Sequence, residues 1–350
     1  MTRAVLVAGG AGFVGAHACK SLARAGFLPI VLDNLSTGHR NFVRWGPLVQ
    51  ADLRDSVTVA ETINQHACTA VLHFAAHAYV GESVTDPAKY YENNVAGTLS
   101  LLAGMRTAGC DALVFSSTCA IYGQPVEVPI IEDTRPDPIN PYGASKLMVE
   151  RILSDFRSAY GLRSIALRYF NACGADPQSE IGELRDPETH LIPRAMMALQ
   201  GHIDNFAVFG TDFETPDGTA IRDYVHVSDL ADAHVTALRQ LLAGSSGDVF
   251  NLGTGRGYSV KEVLDAIESE TREQLPAVTG PRRSGDPAVL IADPAKAREA
   301  LGFHPVRSDL QSIIRTAWAW HRRAHPRRNA RLNGGEEADI KHNRTVPNEK

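Results

Sequence analysis

A chain of 350 residues with 44% hydrophobic composition is long enough to bury a large core and to build two lobes. Its formal charge of -5 gives no reason to expect nucleic acid or an anionic membrane as a partner, and no run of about 18 apolar residues suggests a membrane span. Cys19, Cys68, Cys110, Cys119 and Cys173 are dispersed without CxxC spacing, and the N-terminus enters a strand-like segment at once, so a cytoplasmic protein with reduced thiols is expected, with no metal site and no secretory signal.

Ala4 to Ala8 is a short continuous apolar run, as a parallel strand buried on both faces would show. Gly9-Gly10-Ala11-Gly12-Phe13-Val14-Gly15 follows and opens a helix predicted to reach about Ala25. Glycines at this spacing allow a tight strand-to-helix turn, let backbone N–H groups approach a pyrophosphate, and let the helix lie close on the sheet. A second apolar strand, Leu28 to Leu32, ends in Asp33, which lies 18 residues beyond Gly15, near the place expected of a carboxylate that binds the adenosine ribose. Alone the glycine pattern is weak; strand, glycines, helix, strand and acid in that order make it specific. Asp33 has no adjacent arginine, which favours NAD over NADP, although Arg40 stands nearby.

The alternation continues with Asp52-Leu53 after a short strand, a helix from about Val57 to His66, a strand Ala70 to Phe74, a long helix from Pro87 to Ala108, and a strand Ala112 to Phe115. This rhythm predicts an α/β fold with a doubly wound parallel sheet, whose ligands gather beyond the carboxyl ends of the strands. Phe74-Ala75-Ala76 and Ser116-Ser117-Thr118 sit at such ends. Asn140 is a good N-cap and Pro141 a good first helical residue for an amphipathic helix running to about Tyr160. On it Tyr142 and Lys146 lie four apart on one face. An ammonium held beside a phenol favours the phenolate and can pull a pKa of about 10 toward the working pH, where the group serves as acid or base. In isolation YxxxK is more often a surface tyrosine and a solvated lysine; here it follows a dinucleotide fingerprint.

After a strand from Ser164 to Tyr169, an aperiodic loop from Gly174 to about Thr189 leads into a second lobe. The expected organisation is a cofactor lobe over 1–173, with part of 222–250 packing on it, and a substrate lobe over 174–321. In the second lobe helices are predicted over Pro193 to Gln200, Val227 to Leu242, Ser259 to about Thr271 and Ser308 to His321, with strands at Phe206 to Phe209 and Arg222 to Val227. From Arg322 to the end almost no apolar residue occurs, so a disordered tail over 322–350 is expected.

The fingerprint, Asp33, Thr118 and YxxxK resemble the extended short-chain dehydrogenase/reductase family. Val80-Gly81-Glu82-Ser83, Tyr91-Glu92-Asn93-Asn94-Val95, Ser145-Lys146-Leu147-Met148-Val149-Glu150, Leu167-Arg168-Tyr169-Phe170-Asn171, Asp217-Gly218-Thr219 and Arg222-Asp223-Tyr224-Val225-His226-Val227 narrow the resemblance to its UDP-glucose (UDP-galactose) 4-epimerase branch, over about residues 3 to 320. The resemblance implies an isomerase with tightly held NAD. Tyr142 would take the proton of the sugar 4-hydroxyl while C4 gives up a hydride, and the transient 4-keto sugar would turn and be reduced on its other face. Thr118 stands where the family usually places a serine that hydrogen-bonds the sugar oxygen, and Lys146 would also grip the nicotinamide ribose.

By the same carry-over, Gly9, Gly12, Phe13, Val14 and Gly15 would hold the pyrophosphate, Asp33 and Asn34 the adenosine ribose, and Asp52 with Leu53 the adenine; Phe74, Ala75, Asn93 and Tyr169 would line the rest of the channel. Asn171, Leu191, Phe209, Arg222, Tyr224, Arg283 and Asp286 would bind UDP, two arginines matching a diphosphate of about two negative charges. Leu290 aligns with a position where a large tyrosine blocks 2-acetamido sugars and small residues admit them; leucine is intermediate, so UDP-N-acetyl sugars and pentose nucleotides such as UDP-xylose and UDP-arabinose stay open. His77-Ala78 replaces a Leu-Lys pair of some relatives, and His190 an asparagine near the uracil. The helices around Ala88 to Ala108 and Tyr142 to Tyr160 resemble the pair through which relatives form homodimers. A 4,6-dehydratase of the family would carry Asp-Glu after the threonine, where this chain has Cys119-Ala120. A non-catalytic NAD-binding sensor, the reading from a different class, would be expected to lose Tyr142 or Lys146.

Overall fold

A computed structural model describes residues 2–283 and 285–327. The first half runs β1 (Ala4–Ala8), α1 (Phe13–Arg24), β2 (Leu28–Asp33), β3 (Leu48–Gln50), α2 (Ser56–His66), β4 (Cys68–His73), α3 (Val80–Thr85), α4 (Pro87–Tyr90), a π-helical turn (Tyr91–Ala96), α5 (Gly97–Thr107), β5 (Ala112–Thr118), α6 (Pro141–Tyr160) and β6 (Arg163–Tyr169). The second half adds β7 (Asn171–Cys173), α7 (Leu191–Leu199), β8 (Phe206–Phe209), β9 (Ile221–Arg222), β10 (Tyr224–His226), α8 (Val227–Leu242), β11 (Val249–Leu252), β12 (Tyr258–Ser259), α9 (Val260–Thr271), β13 (Ala277–Gly280), β14 (Val289–Leu290), α10 (Ala295–Leu301) and α11 (Leu310–Ala324).

Seven strands form one parallel sheet in the order β11-β6-β5-β4-β1-β2-β3. The unbroken apolar run of β1 follows from burial on both faces. Val5 and Val7 pack with Leu22 of α1 and with Leu230 and Leu238 of α8. Leu6 and Ala8 point the other way, against Val59 and Ile63 of α2, Leu101 and Met105 of α5, and Val149 and Leu153 of α6. Each fully buried leucine here contributes about 2 kcal/mol of burial. Order reverses between β1 and β4, so the carboxyl ends of these two strands open a crevice at the switch point, where doubly wound sheets bind ligands. The region around 222–250 does return to this lobe: α8 covers α1, and β11 pairs with β6. A separate core gathers Ile192 and Met196 of α7, Phe206 and Val208 of β8, Val263 and Ile267 of α9, and Ile313 and Trp318 of α11.

Three expectations are refined or corrected. The long helix expected from Pro87 to Ala108 is present, running without a break in helical backbone through α4, the π turn and α5 to Thr107, and Asn94 on the wide turn is 2% exposed. The strand expected over Arg222 to Val227 is two strands in different sheets: β9 pairs with β12 and β14, β10 with β7. The break is at Asp223, wholly buried, whose carboxylate accepts from the N–H groups of Thr254, Gly255 and Ala292 and from the Thr254 hydroxyl. Finally, the last helix continues to Ala324, so Arg322 and Arg323 are helical; Trp320 and His321 are buried, and Ala324 packs beside Trp320, which extends the apolar face. Residues 328–350 of the expected tail lie outside the described residues.

Candidate active site

The glycine loop joins the carboxyl end of β1 to α1. Gly9 has φ of +81°, and a Cβ there would stand 2.5 Å from the backbone N of Ala75, so only glycine lets the loop lie against the segment after β4. A Cβ at Gly15 would overlap the Gly9 carbonyl oxygen. Gly12 caps α1 with no side chain on its first-turn N–H groups, while Phe13 is buried against the His17 ring and Val14 is half-buried. These N–H groups at the positive end of a helix, in a cradle that a Cβ would fill, fit a pyrophosphate. Asp33 closes the loop from the other side: its carboxylate accepts from Ala11 N at 2.9 Å and Leu35 N at 2.8 Å, and burial raises its pKa. Further along, Asn34 donates to Asp52 at 3.2 Å, and Arg54 grips the same carboxylate, holding it well below the usual carboxylate range. Leu53 is buried beneath them, and Phe74 and Ala75 take the Ala8 carbonyl through their N–H groups. The glycine loop, Asp33, Asn34, Asp52, Leu53, Phe74 and Ala75 thus gather around the carboxyl ends of β1 to β4, and their chemistry fits NAD.

The proton-handling residues meet one strand away. Asn140 caps α6 by accepting from Gly143 N at 2.8 Å, and Pro141 occupies its first turn, as their residue types predict. Thr118 ends β5 beside Tyr142, where its hydroxyl favours the phenolate. Lys146, 3% exposed, donates to the Ser116 carbonyl at 2.9 Å and lies 4.8 Å from the centre of the Phe115 ring. The expectation that the lysine sits on the phenol and depresses its pKa is corrected. Burial pushes the Tyr142 phenol well above its ordinary value, neighbouring Tyr169 adds to this, and Thr118 and Arg185 oppose it. Burial likewise brings Lys146 down to about 7. Desolvation outweighs the attraction because both groups are walled in by β5, β6 and the π turn.

Asn94, Glu183, Arg185 and Glu188 are not singled out in the sequence; they meet Tyr169 and His190, which are. Asn94, rather than its half-buried neighbour Asn93, ties the site together: it accepts from His77 N at 2.9 Å, and donates to the His77 carbonyl at 3.1 Å and to Ser145 Oγ at 3.0 Å, between Tyr142 and Lys146. Tyr169 places its hydroxyl against Ser116 Oγ. Arg185, from the aperiodic loop, lies over the Tyr79 ring at 5.5 Å and binds Glu183 at 2.9 Å. His190 stands 3.1 Å from Glu183 and 3.2 Å from Glu188; burial disfavours its charge, but the carboxylates prevail and raise it to about 9. Glu183, Glu188 and His190 bring ligand atoms within 4.8 Å of one another, a spacing that could hold a metal ion, yet the His190 and Arg185 cations already balance the two carboxylates.

The third wall carries the residues expected at UDP. Arg222 of β9 is ion-paired with Asp286 and its Nη1 donates to the Ile221 carbonyl at 2.8 Å. Arg283, exposed, lies over the Phe209 ring at 4.6 Å, and the Asp286 N–H donates to the Arg283 carbonyl at 3.2 Å, so one turn brings both arginines to the same opening. Tyr224 is buried on the adjacent strand and Asn171 pairs with it across β7. Leu191 begins α7 directly after His190. Leu290 stands opposite Arg222 in β14 and packs against the cluster of Cys119, Ile121 and Phe170 beside Thr118, which puts it between the cationic opening and the proton-handling residues.

Comparison with known proteins gives a consistent result. The model of the "NAD dependent epimerase/dehydratase family" matches residues 5–253. A "UDP-glucose 4-epimerase" of Rhizobium leguminosarum bv. trifolii is 52% identical over 321 residues, covering 92% of this chain and 98% of that protein. Among solved structures, a UDP-glucose 4-epimerase from Brucella ovis in complex with NAD is 55% identical with a TM-score of 0.89, covering 91% of this chain and 98% of that one. One from Stenotrophomonas maltophila, with bound NAD and formylated UDP-arabinopyranose, is 39% identical with a TM-score of 0.89, over 92% and 98% of the two chains.

Proposed function

This chain belongs to the NAD dependent epimerase/dehydratase family, and we propose that it interconverts UDP-galactose and UDP-glucose by inverting C4 of the sugar. The observation that carries this reading is the meeting of Thr118, Tyr142 and Lys146 at the carboxyl end of β5, next to a crevice whose chemistry fits NAD. Gly9 to Gly15 hold the pyrophosphate, Asp33 and Asn34 the adenosine ribose, Asp52 and Leu53 the adenine, and Lys146 the nicotinamide ribose. NAD held there would supply an acceptor and donor of hydride for C4 and, in its oxidised form, one positive charge.

The chain itself moves the proton. Tyr142 accepts it from the 4-hydroxyl, directly or through the Thr118 hydroxyl, and returns it to the same oxygen after the ketone has turned. Burial opposes the phenolate, and the positive charge that bound, oxidised NAD would add favours it. Arg222 and Arg283 hold the diphosphate while the sugar turns, Asn171, Leu191, Phe209 and Tyr224 line the rest of the UDP site, and Asp286 keeps Arg222 aimed at the opening. Leu290, between that opening and Thr118, is the position that sets tolerance at the sugar; its intermediate size supports a second reading in which 2-acetamido sugars or UDP-pentoses are also turned over.

A homodimer is part of the proposal, supported by exposed Leu99 on α5 and Met148 and Tyr160 on α6, with Arg106 stacked on Tyr160 to join the two helices. Among the described residues no helix is long and apolar enough to cross a membrane, and all five thiols are buried and unpaired, which supports a cytoplasmic protein. The test is to incubate purified protein with UDP-galactose, UDP-N-acetylgalactosamine and UDP-arabinopyranose separately and follow each for its C4 epimer by NMR. Conversion of UDP-galactose is expected; no conversion of any of the three would remove the reading and return the chain to a non-catalytic NAD-binding sensor.

A further inference from the structure

Three consecutive residues at the end of β5 face three residues spaced by one turn along α6. The Ser116 carbonyl accepts from Lys146 at 2.9 Å, Ser117 Oγ donates to Glu150 Oε1 at 2.5 Å, and Thr118 stands beside Tyr142. Tyr142, Lys146 and Glu150 lie at i, i+4 and i+8, so they form one stripe of the helix. Glu150 is the member without a role in the reaction described above. Its side chain is 7% exposed and is held by Arg168 of β6, 8% exposed, through contacts of 3.0, 3.2 and 2.6 Å. Arg168 also donates to Tyr122 Oη at 2.8 Å and to the Glu132 carbonyl at 3.0 Å, and the Tyr122 hydroxyl donates to Asn251 of β11 at 2.7 Å. One buried pair thus joins the helix with the chemistry to the strand carrying Thr118, to the strand carrying Tyr169, and to β11.

A packed apolar pair would hold these elements together as well, and often better. What the ion pair adds is direction and charge. A forked guanidinium on a carboxylate fixes the rotation of α6 on the sheet. Around Lys146, its own helix offers Tyr142 and Glu150, β5 the Ser116 carbonyl and the Phe115 ring, β4 His73, which burial keeps neutral, and β6 Tyr169 and Arg168, the latter reaching it only through Glu150. Among these, Glu150 is the group whose charge favours an ammonium. We propose that Glu150 is a positioning residue of the reaction: through Ser117 and Arg168 it fixes the rotation of α6 that sets Tyr142 against Thr118, and as the carboxylate one helical turn from Lys146 it is the counter-charge of that ammonium. The effect on turnover rests on the proposed function; the effect on Lys146 does not.

The test uses Glu150→Gln, the double variant Glu150→Gln/Arg168→Gln, and Arg168→Lys. First, the Lys146 side chain is titrated by NMR in lysine-labelled full-length protein, assigned by the signal missing from Lys146→Met. Removing the Glu150 charge should move its midpoint to lower pH by about one unit, with no substrate present. Second, kcat for UDP-galactose should fall about tenfold to a hundredfold with KM within about twofold and bound NAD retained, and the alkaline limb of the pH profile should move the same way. Arg168→Lys, which keeps the charges but loses the fork, should lower kcat and leave the Lys146 midpoint in place. Should Glu150→Gln fail to fold because Arg168 is left unpaired, the double variant, which leaves no lone charge, decides. An unchanged Lys146 midpoint, or a folded double variant with wild-type kcat and pH profile, overturns the proposal. A wild-type protein that converts no nucleotide sugar would instead sink the functional reading, while the titration still decides the assignment to Glu150.

Discussion

Replacing Gly15 by alanine isolates the glycine loop. The added Cβ would overlap the Gly9 carbonyl oxygen and stand 3.0 Å from Gly10 Cα, and both are backbone atoms that no side-chain rotation can clear. The loop is also pinned where the clash falls: Gly9 donates to the Leu32 carbonyl at 2.9 Å, Gly12 to the Gly9 carbonyl at 3.2 Å, and Ala11 to Asp33 at 2.9 Å. Overpacking a rigid site costs about 1 to 3 kcal/mol, and these constraints place Gly15→Ala near the upper end. Strain of about 3 kcal/mol concentrated in the NAD-binding shape lowers affinity roughly a hundredfold; borne by the folded state as a whole it lowers Tm by roughly 4 °C for a chain of this length. NAD recovered with the protein after gel filtration, NAD affinity by calorimetry and the thermal midpoint read out the division. Gly97→Ala is the control, since its Cβ would meet Leu53 and Arg54 at 3.8 and 4.0 Å, ordinary contact, and in a helix it should be neutral or stabilise by up to about 1 kcal/mol. A Gly15→Ala protein with wild-type NAD content and Tm would refute the reasoning that the loop has no room for a Cβ.

Tyr142→Phe should keep its NAD yet lose about 100- to 10,000-fold in kcat; near-normal turnover would refute the assigned base role. Leu290→Tyr should lower kcat/KM for UDP-N-acetylgalactosamine relative to UDP-galactose by about tenfold, and an unchanged ratio would remove Leu290 from the sugar wall. Stability should also fall with acid. Burial depresses His17, His226, His234 and His321 to about 4 and His73 to about 3 in the folded chain, against about 6.5 unfolded. Above pH 6.5 these rings are neutral in both states; as pH falls from 6.5 toward 4 only the unfolded chain takes up the protons, so Tm should drop across that window. His190 has the opposite sign, its contribution being present below about 6.5 and lost as pH rises through about 9. A Tm that stays flat from pH 6.5 to 4.5 would contradict the assignment of neutral buried histidines.

The parts of this molecule that were legible in sequence are those whose cause is local. A five-residue apolar run, a glycine turn, a helix and an acid specify the cofactor crevice because each step needs only its neighbours in the chain, and Asn140-Pro141 announces α6 for the same reason. What was misread depends on distant partners. Nothing near Asp223 tells that its carboxylate is taken by Thr254, Gly255 and Ala292, which is what breaks one expected strand into two. The π turn that carries Asn94 interrupts no apolar periodicity, so the helix is legible there and the wide turn is not. Helical spacing correctly put Tyr142 and Lys146 on one face, but the lysine's partner is the Ser116 carbonyl, and the burial that shifts both groups is supplied by strands that the spacing does not reveal. Arg185 and Glu183 sit in a loop without pattern, where only the folded chain shows that they face the same space as Tyr79.

In the proposed reaction the hydrogen removed from C4 is returned to C4 within a closed site, while Tyr142 handles only the proton of the oxygen. UDP-galactose labelled with deuterium at C4, incubated with the purified protein in ordinary water without added reductant, tests both halves at once. UDP-glucose that still carries deuterium at C4 is expected, with turnover slowed by the label if that transfer limits the rate. UDP-glucose that has lost the label to water would contradict it, since C4 would then exchange its hydrogen as a proton, chemistry for which Tyr142, Lys146 and Thr118 are not arranged.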